Sequence, residues 1–180
     1  MPARHSPRFA LRDATAEAHA RVDAVFSGFD LTEAESYGRF LQAQAAAHLP
    51  VERALEAGGI AAMAPDWPER RRAPLLAADL EELGLAVPSG DGPAPMTDAA
   101  QMLGALYVLE GSRLGGALLS RSVPPALPKR FLSASRPAAW RDLVSLLDAR
   151  LSTPKDISVA ITAACDVFAL FEQSGRALVR

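Results

Sequence analysis

Residues 98–122 read DAAQMLGALYVLEGSRLGGALLSRS. The run opens at Thr97 and Asp98, side chains that cap helix starts by accepting from backbone N–H groups with no partner of their own. Its middle is apolar on nearly every side. A helix of that kind runs through the centre of a domain or lines a large apolar ligand.

Outward from this helix the punctuation is helical throughout. Ser6-Pro7 places an N-cap before a proline at the first helical position. Thr32-Glu33-Ala34-Glu35 reads as a capping box that opens a second helix. Ser135 or Arg136 before Pro137 opens another, Thr153-Pro154 opens the last, and a shorter helix covers about 69–83, closed by Gly84. Leu11, Thr15, Ala18, Val22 and Val25 form one stripe at three- and four-residue steps. Ile157, Ile161, Ala164, Phe168 and Phe171 form a second. Two stretches break the pattern: AVPSGDGPAPM (86–96), and the prolines at 124, 125 and 128. No segment shows sustained period-2 alternation, and only 6% of residues are aromatic. The fold class expected is all-α, a single compact helical bundle over 1–180.

At 180 residues and 49% hydrophobic content the chain can bury a full core. A net charge of -2 with signs mixed along the chain argues against a nucleic-acid partner. The run Arg70-Arg71-Arg72 reads as a solvated helix face. The single Cys165 can form neither an internal disulfide nor a cysteine-rich metal site and reads as a buried structural residue. Residues 1–10 hold no leader-like apolar stretch, and no run reaches the roughly 20 apolar residues of a membrane span. No membrane and a cytoplasmic location are therefore expected.

His19 sits mid-helix beside the apolar stripe of 11–25. Two readings stand: a half-buried histidine satisfied by a neighbour, or a ligand to metal or heme iron, for which one neutral imidazole is enough. Gly111, Gly115 and Gly116 pose a second question, because a glycine inside a helix costs about 0.5–1 kcal/mol relative to alanine. Gly111 and Gly115 share one face and leave a strip of bare backbone. That strip serves either close helix packing or a flat ligand, with Ser112 holding ordered water beside it.

LRDATAEAH (11–19), followed by Asp23, resembles the proximal-helix motif of heme oxygenases, LR-x-x-T-x-x-x-H-x-x-x-[ED]. YVLEGSRLGG (107–116) is similar to the distal-helix motif of the biliverdin-producing bacterial members. The order of the two motifs fits the family, and so does the chain length. The resemblance implies that His19 is the proximal iron ligand, and that Gly111 and Gly115 bring bare backbone to the heme. It implies that Thr15, Val22 and Phe168 line the pocket and that Arg12 reaches a propionate. Many members carry Asp where this chain has Ser112, so proton delivery is arranged differently here. Serine at that place resembles the bacteriophytochrome-associated branch. The activity implied is oxidative opening of heme to biliverdin, CO and iron. It consumes O2 and needs electrons from an external donor, a ferredoxin or reductase, with a bacteriophytochrome as a biliverdin acceptor. Catalytic roles fall on Ser112 and Gly111. The alternative is a heme carrier or sensor of the same fold without turnover.

Relatives of this fold with other chemistry fit less well. A di-iron bundle needs Glu-x-x-His pairs, and the chain has none. A thiaminase-like enzyme needs a cysteine nucleophile, and Cys165 has no histidine near it in sequence. His48 and Glu52 read as a surface pair rather than a metal site. His5 falls in a frayed terminus, and Trp67 and Trp140 are expected to pack in satellite positions with no role.

Overall fold

The computed structural model describes residues 6–89 and 92–179, so His5 lies outside the described residues. These hold eight α-helices and no strand. They are α1 (Pro7–Phe26), α2 (Ala34–Ala57), α3 (Trp67–Arg70), α4 (Ala73–Glu82), α5 (Ala99–Leu119), α6 (Arg130–Ser133), α7 (Pro137–Arg150) and α8 (Pro154–Leu178), with a 3-10 turn at Ile60–Ala62. The all-helical class read from the sequence is the one observed.

The α8 helix organises the bundle, packing against α1, α2 and α5. It starts from a full capping box: Thr153 accepts from the Asp156 N–H while Asp156 accepts from the Thr153 N–H. Ala164, Phe168 and Phe171 of its stripe are buried, with Ala160 and Val167 beside them. Being 25 residues long, α8 is also long and apolar enough to cross a membrane by length and composition, unlike the expectation from the sequence. In this fold its apolar face is core. The α5 helix starts at Asp98, which accepts from the N–H groups of Ala100 and Gln101. Its residues from Met102 to Glu110 are largely buried, but Leu114 and Leu118 are exposed, so only its first two-thirds runs through the centre.

Three local expectations are corrected. The α2 N-cap is Glu33, whose carboxylate accepts from Ser36 N–H, and not Thr32. Asp30 captures the Thr32 hydroxyl and its N–H instead, so no capping box forms. The helix expected over 69–83 breaks in two at Arg71 and Arg72. There Glu52 of α2 accepts from the N–H groups of Arg72 and Ala73 and so caps α4 from another helix. Gly84 does close α4, at φ +67. Finally, Trp67 is a core residue rather than a satellite, being 4% exposed.

Candidate functional site

The α1 and α5 helices both lean on α8, and a cavity of about 360 Å³ opens between them. That volume is within the range of small-molecule sites. The structure brings Arg12, Thr15, His19 and Val22 to it from α1, Gly111, Ser112 and Gly115 from α5, and Phe168 from α8. These residues are thus assembled around one cavity, though up to about 150 positions apart in the chain.

The histidine question narrows first. The His19 side chain is 61% exposed, and Nε2 lies 3.6 Å from Asp23 Oδ1, beyond hydrogen-bond reach. It is not a half-buried residue satisfied by a neighbour. The ring centroids of His19 and Phe168 lie 5.6 Å apart with the planes tilted by 54°, which limits the swing of the imidazole. Thr15, one turn before, is 2% exposed and donates its hydroxyl to the Leu11 carbonyl. Arg12 stands at the rim, paired with Asp13 at 2.8 Å and lying over Phe9.

The glycine question narrows as sharply. A Cβ built on Gly111 or Gly115 meets nothing within 4 Å, so neither residue serves helix packing. The packing glycine of α5 is Gly104, where a Cβ would lie 2.1 Å from the Ala160 carbonyl oxygen of α8. The strip at Gly111 and Gly115 is therefore a shallow bed open to the cavity.

Behind the strip lies a buried charged layer, which overturns two surface readings. Arg72 is 1% exposed and Arg70 5%. The Arg72 guanidinium donates to the Leu109 carbonyl and to Ser112 Oγ, and it lies over the Phe131 ring. Burial pushes its pKa down to about 9, helped by the Arg113 charge and opposed by Glu110 and Glu52. His48 and Glu52 form a fully buried pair, Nε2 to Oε1 at 2.8 Å, rather than a surface one. Burial, then the Arg72 charge, holds His48 below its ordinary value, hence neutral. Burial alone would raise Glu52, but the His48 hydrogen bond and the N–H groups of Arg72 and Ala73 outweigh it and keep the carboxylate ionised. No group of three or more candidate metal ligands occurs among the described residues. Cys165 is half-buried and lies outside the lining.

Ser112 is more constrained than its sequence suggests. Its hydroxyl donates to the Leu109 carbonyl and accepts from Arg72. One lone pair remains, enough to accept from a water but not to donate to one.

Several lining residues carry no separate signal in the sequence. Trp140 of α7, given no role above, lines the cavity with its ring 5.8 Å from that of Tyr107. Phe40 and Gln44 of α2 and Phe131 of α6 close other sides. Tyr107 was within reach of the sequence, since 107, 111 and 115 recur every four residues on one face.

Comparison with known proteins decides the family. A heme oxygenase from Xanthomonas campestris pv. campestris is 37% identical over 112 residues, covering 58% of this chain and 67% of the relative. The chain belongs to the heme oxygenase family. The heme oxygenase PigA of Pseudomonas aeruginosa is 28% identical over 168 residues, spanning 87% of this chain and 85% of its own. The NO- and CO-bound heme oxygenase from Neisseria meningitidis superposes with a TM-score of 0.83 at 26% identity, covering 97% of this chain and 92% of its own. The Leptospira interrogans heme oxygenase shares the fold, with a TM-score of 0.71 at 19% identity and coverage of 97% and 100%. No family model matches the chain.

Proposed function

We propose that this heme oxygenase holds heme between α1 and α5, with an imidazole nitrogen of His19 on the iron and the bare backbone at Gly111 and Gly115 against the other face. One observation carries the reading. His19, open and unsatisfied, shares a cavity with two helical glycines whose missing side chains leave free space. A flat apolar ring with an iron at its centre needs both features. When bound, heme supplies the oxygen chemistry, and it is the substrate that is opened to biliverdin, CO and iron.

The chain's own groups position that chemistry. The Phe168 ring, with its centroid 5.6 Å from that of His19, holds the imidazole at the cavity wall. Phe168 and Val22 keep the α1 side dry, and Arg12, with Tyr107 near it, suits a propionate at the rim. On the α5 side the close backbone leaves little room over the ring, so access is biased toward one meso position. Ser112 Oγ can accept from one water there, and the cation that orders this hydroxyl is Arg72. Catalytic roles are assigned on that basis to Ser112 and Gly111. Electrons come from a reductase or ferredoxin. The serine at 112 is the feature that suggests a bacteriophytochrome as biliverdin acceptor, and a cytoplasmic setting suits that partner. A carrier or sensor without turnover is the reading that the named enzymes among the relatives do not favour.

The test is single turnover. Heme-loaded protein given a reductase and O2 is expected to lose its Soret band and yield biliverdin. Intact heme after reduction and oxygenation would sink the enzyme reading.

A further inference from the structure

The glycine strip lies on the weakest part of α5, yet the helix runs on unbroken from Ala99 to Leu119. What holds it is on the side away from the cavity. Glu110 and Arg113 are one turn apart, flank Gly111 and Ser112, and are 2% and 5% exposed. Arg113 Nε lies 3.0 Å from Glu110 Oε2. The other two guanidinium nitrogens reach beyond the helix: Nη1 donates to the Ala134 carbonyl before α7, and Nη2 to the Arg70 carbonyl at the end of α3 as well as to Glu110 Oε1. Arg70 in turn lies 3.4 Å from Glu110 Oε1 and pairs with Asp66, which also holds Arg136 at the surface.

Buried ion pairs of this kind seldom add net stability over apolar residues of equal size, so their retention asks for another role. Two carbonyls on separate segments outside α5, with Glu110 on the helix itself aligning the guanidinium, fix the rotation and height of one helical turn, which a planar fork of donors does and a single contact cannot. We propose that Arg113 and Glu110 are positioning residues that strap the turn carrying Gly111 to the α3 end and the α7 entry, and thereby set the height of the bare strip over the cavity. The proposal deepens the reading of that strip as a heme bed and rests on it for its effect on product. Its effect on the helix is independent of any ligand.

The experiment compares wild type with Glu110→Leu/Arg113→Met, which removes both charges together and so leaves neither one buried alone, and with Arg113→Lys, which keeps the charge but not the fork. Hydrogen exchange is measured on the heme-free proteins. Peptides over 108–117 are expected to exchange about tenfold faster or more in the double variant, and less so in the lysine variant, with α1 and α8 unchanged. Protection of 108–117 equal to wild type, or equal acceleration in every helix, overturns the strap. On turnover, the double variant is expected to release a second biliverdin isomer absent from wild type, which a loss of global stability alone does not produce. A wild-type isomer pattern despite faster local exchange overturns the claim that the strap sets ring placement. Wild-type protein that bound no heme would refute the heme reading itself, while the exchange data still judged the strap.

Discussion

Replacing Gly111 or Gly115 by alanine should make the heme-free protein more stable and at the same time a poorer heme binder. Both effects follow from the open space over these residues. A Cβ at either position meets nothing within 4 Å, so the methyl adds no clash. It removes the glycine penalty of about 0.5–1 kcal/mol per site. For a chain of this size that corresponds to a rise of roughly 1–4 °C in Tm per substitution. With heme in place the same methyl stands where the ring should lie, an overpacking cost of about 1–3 kcal/mol. Affinity should fall roughly 5- to 150-fold. Gly104→Ala is the internal control: its Cβ would lie 2.1 Å from the Ala160 carbonyl oxygen, so Tm should drop. The assays are thermal unfolding of heme-free protein by circular dichroism and heme titration at the Soret band. If Gly111→Ala melted below wild type, as Gly104→Ala should, or bound heme as tightly as wild type, the bed at Gly111 and Gly115 would be refuted.

Two further outcomes test the layer beneath the cavity. His48 has a folded pKa below the ordinary 6.5, so under that pH the unfolded chain takes up the proton that the folded one refuses. Stability should therefore fall as the pH drops from about 6.5, and further below about 4.5 as Glu52, whose folded pKa is also lowered, is protonated in the unfolded chain. His48→Phe should flatten the upper part of that decline in urea melts run from pH 7.5 to 5. Asp79, with no exposure, accepts from the N–H groups of Arg130 and Phe131 and so holds the Phe131 wall. Asp79→Ala should cost about 2–4 kcal/mol in urea unfolding, counting two stranded N–H groups and little for the half-exposed Arg130.

What the sequence carried of this structure was what local chemistry encodes. The starts of α5 and α8 were legible because Asp98 and Thr153 cap their own helices. The break between α3 and α4 was not, because its cap is Glu52, a residue of α2. The arginine run at 70–72 misled for a related reason. Composition assigns guanidinium groups to the surface, whereas Arg70 and Arg72 are buried against carbonyls and carboxylates that only the fold brings near. His48 and Glu52 were inverted in the same way. The glycines show the limit most clearly. Gly104, Gly111 and Gly115 sit on one helix, and only the partner opposite tells a packing contact from an open bed. For the candidate site, the two motifs named residues that line one cavity, but the aromatic walls from α2, α6 and α7 came without a signal of their own.

The central claim is that His19 binds the heme iron. Its most direct test is a heme titration of wild type and His19→Ala, followed by absorbance and low-temperature electron paramagnetic resonance. Wild type should give a saturable Soret band and the signature of a histidine-ligated iron. His19→Ala should lose that signature and bind more weakly, with exogenous imidazole restoring the spectrum. An identical spectrum and affinity in His19→Ala would contradict the assignment.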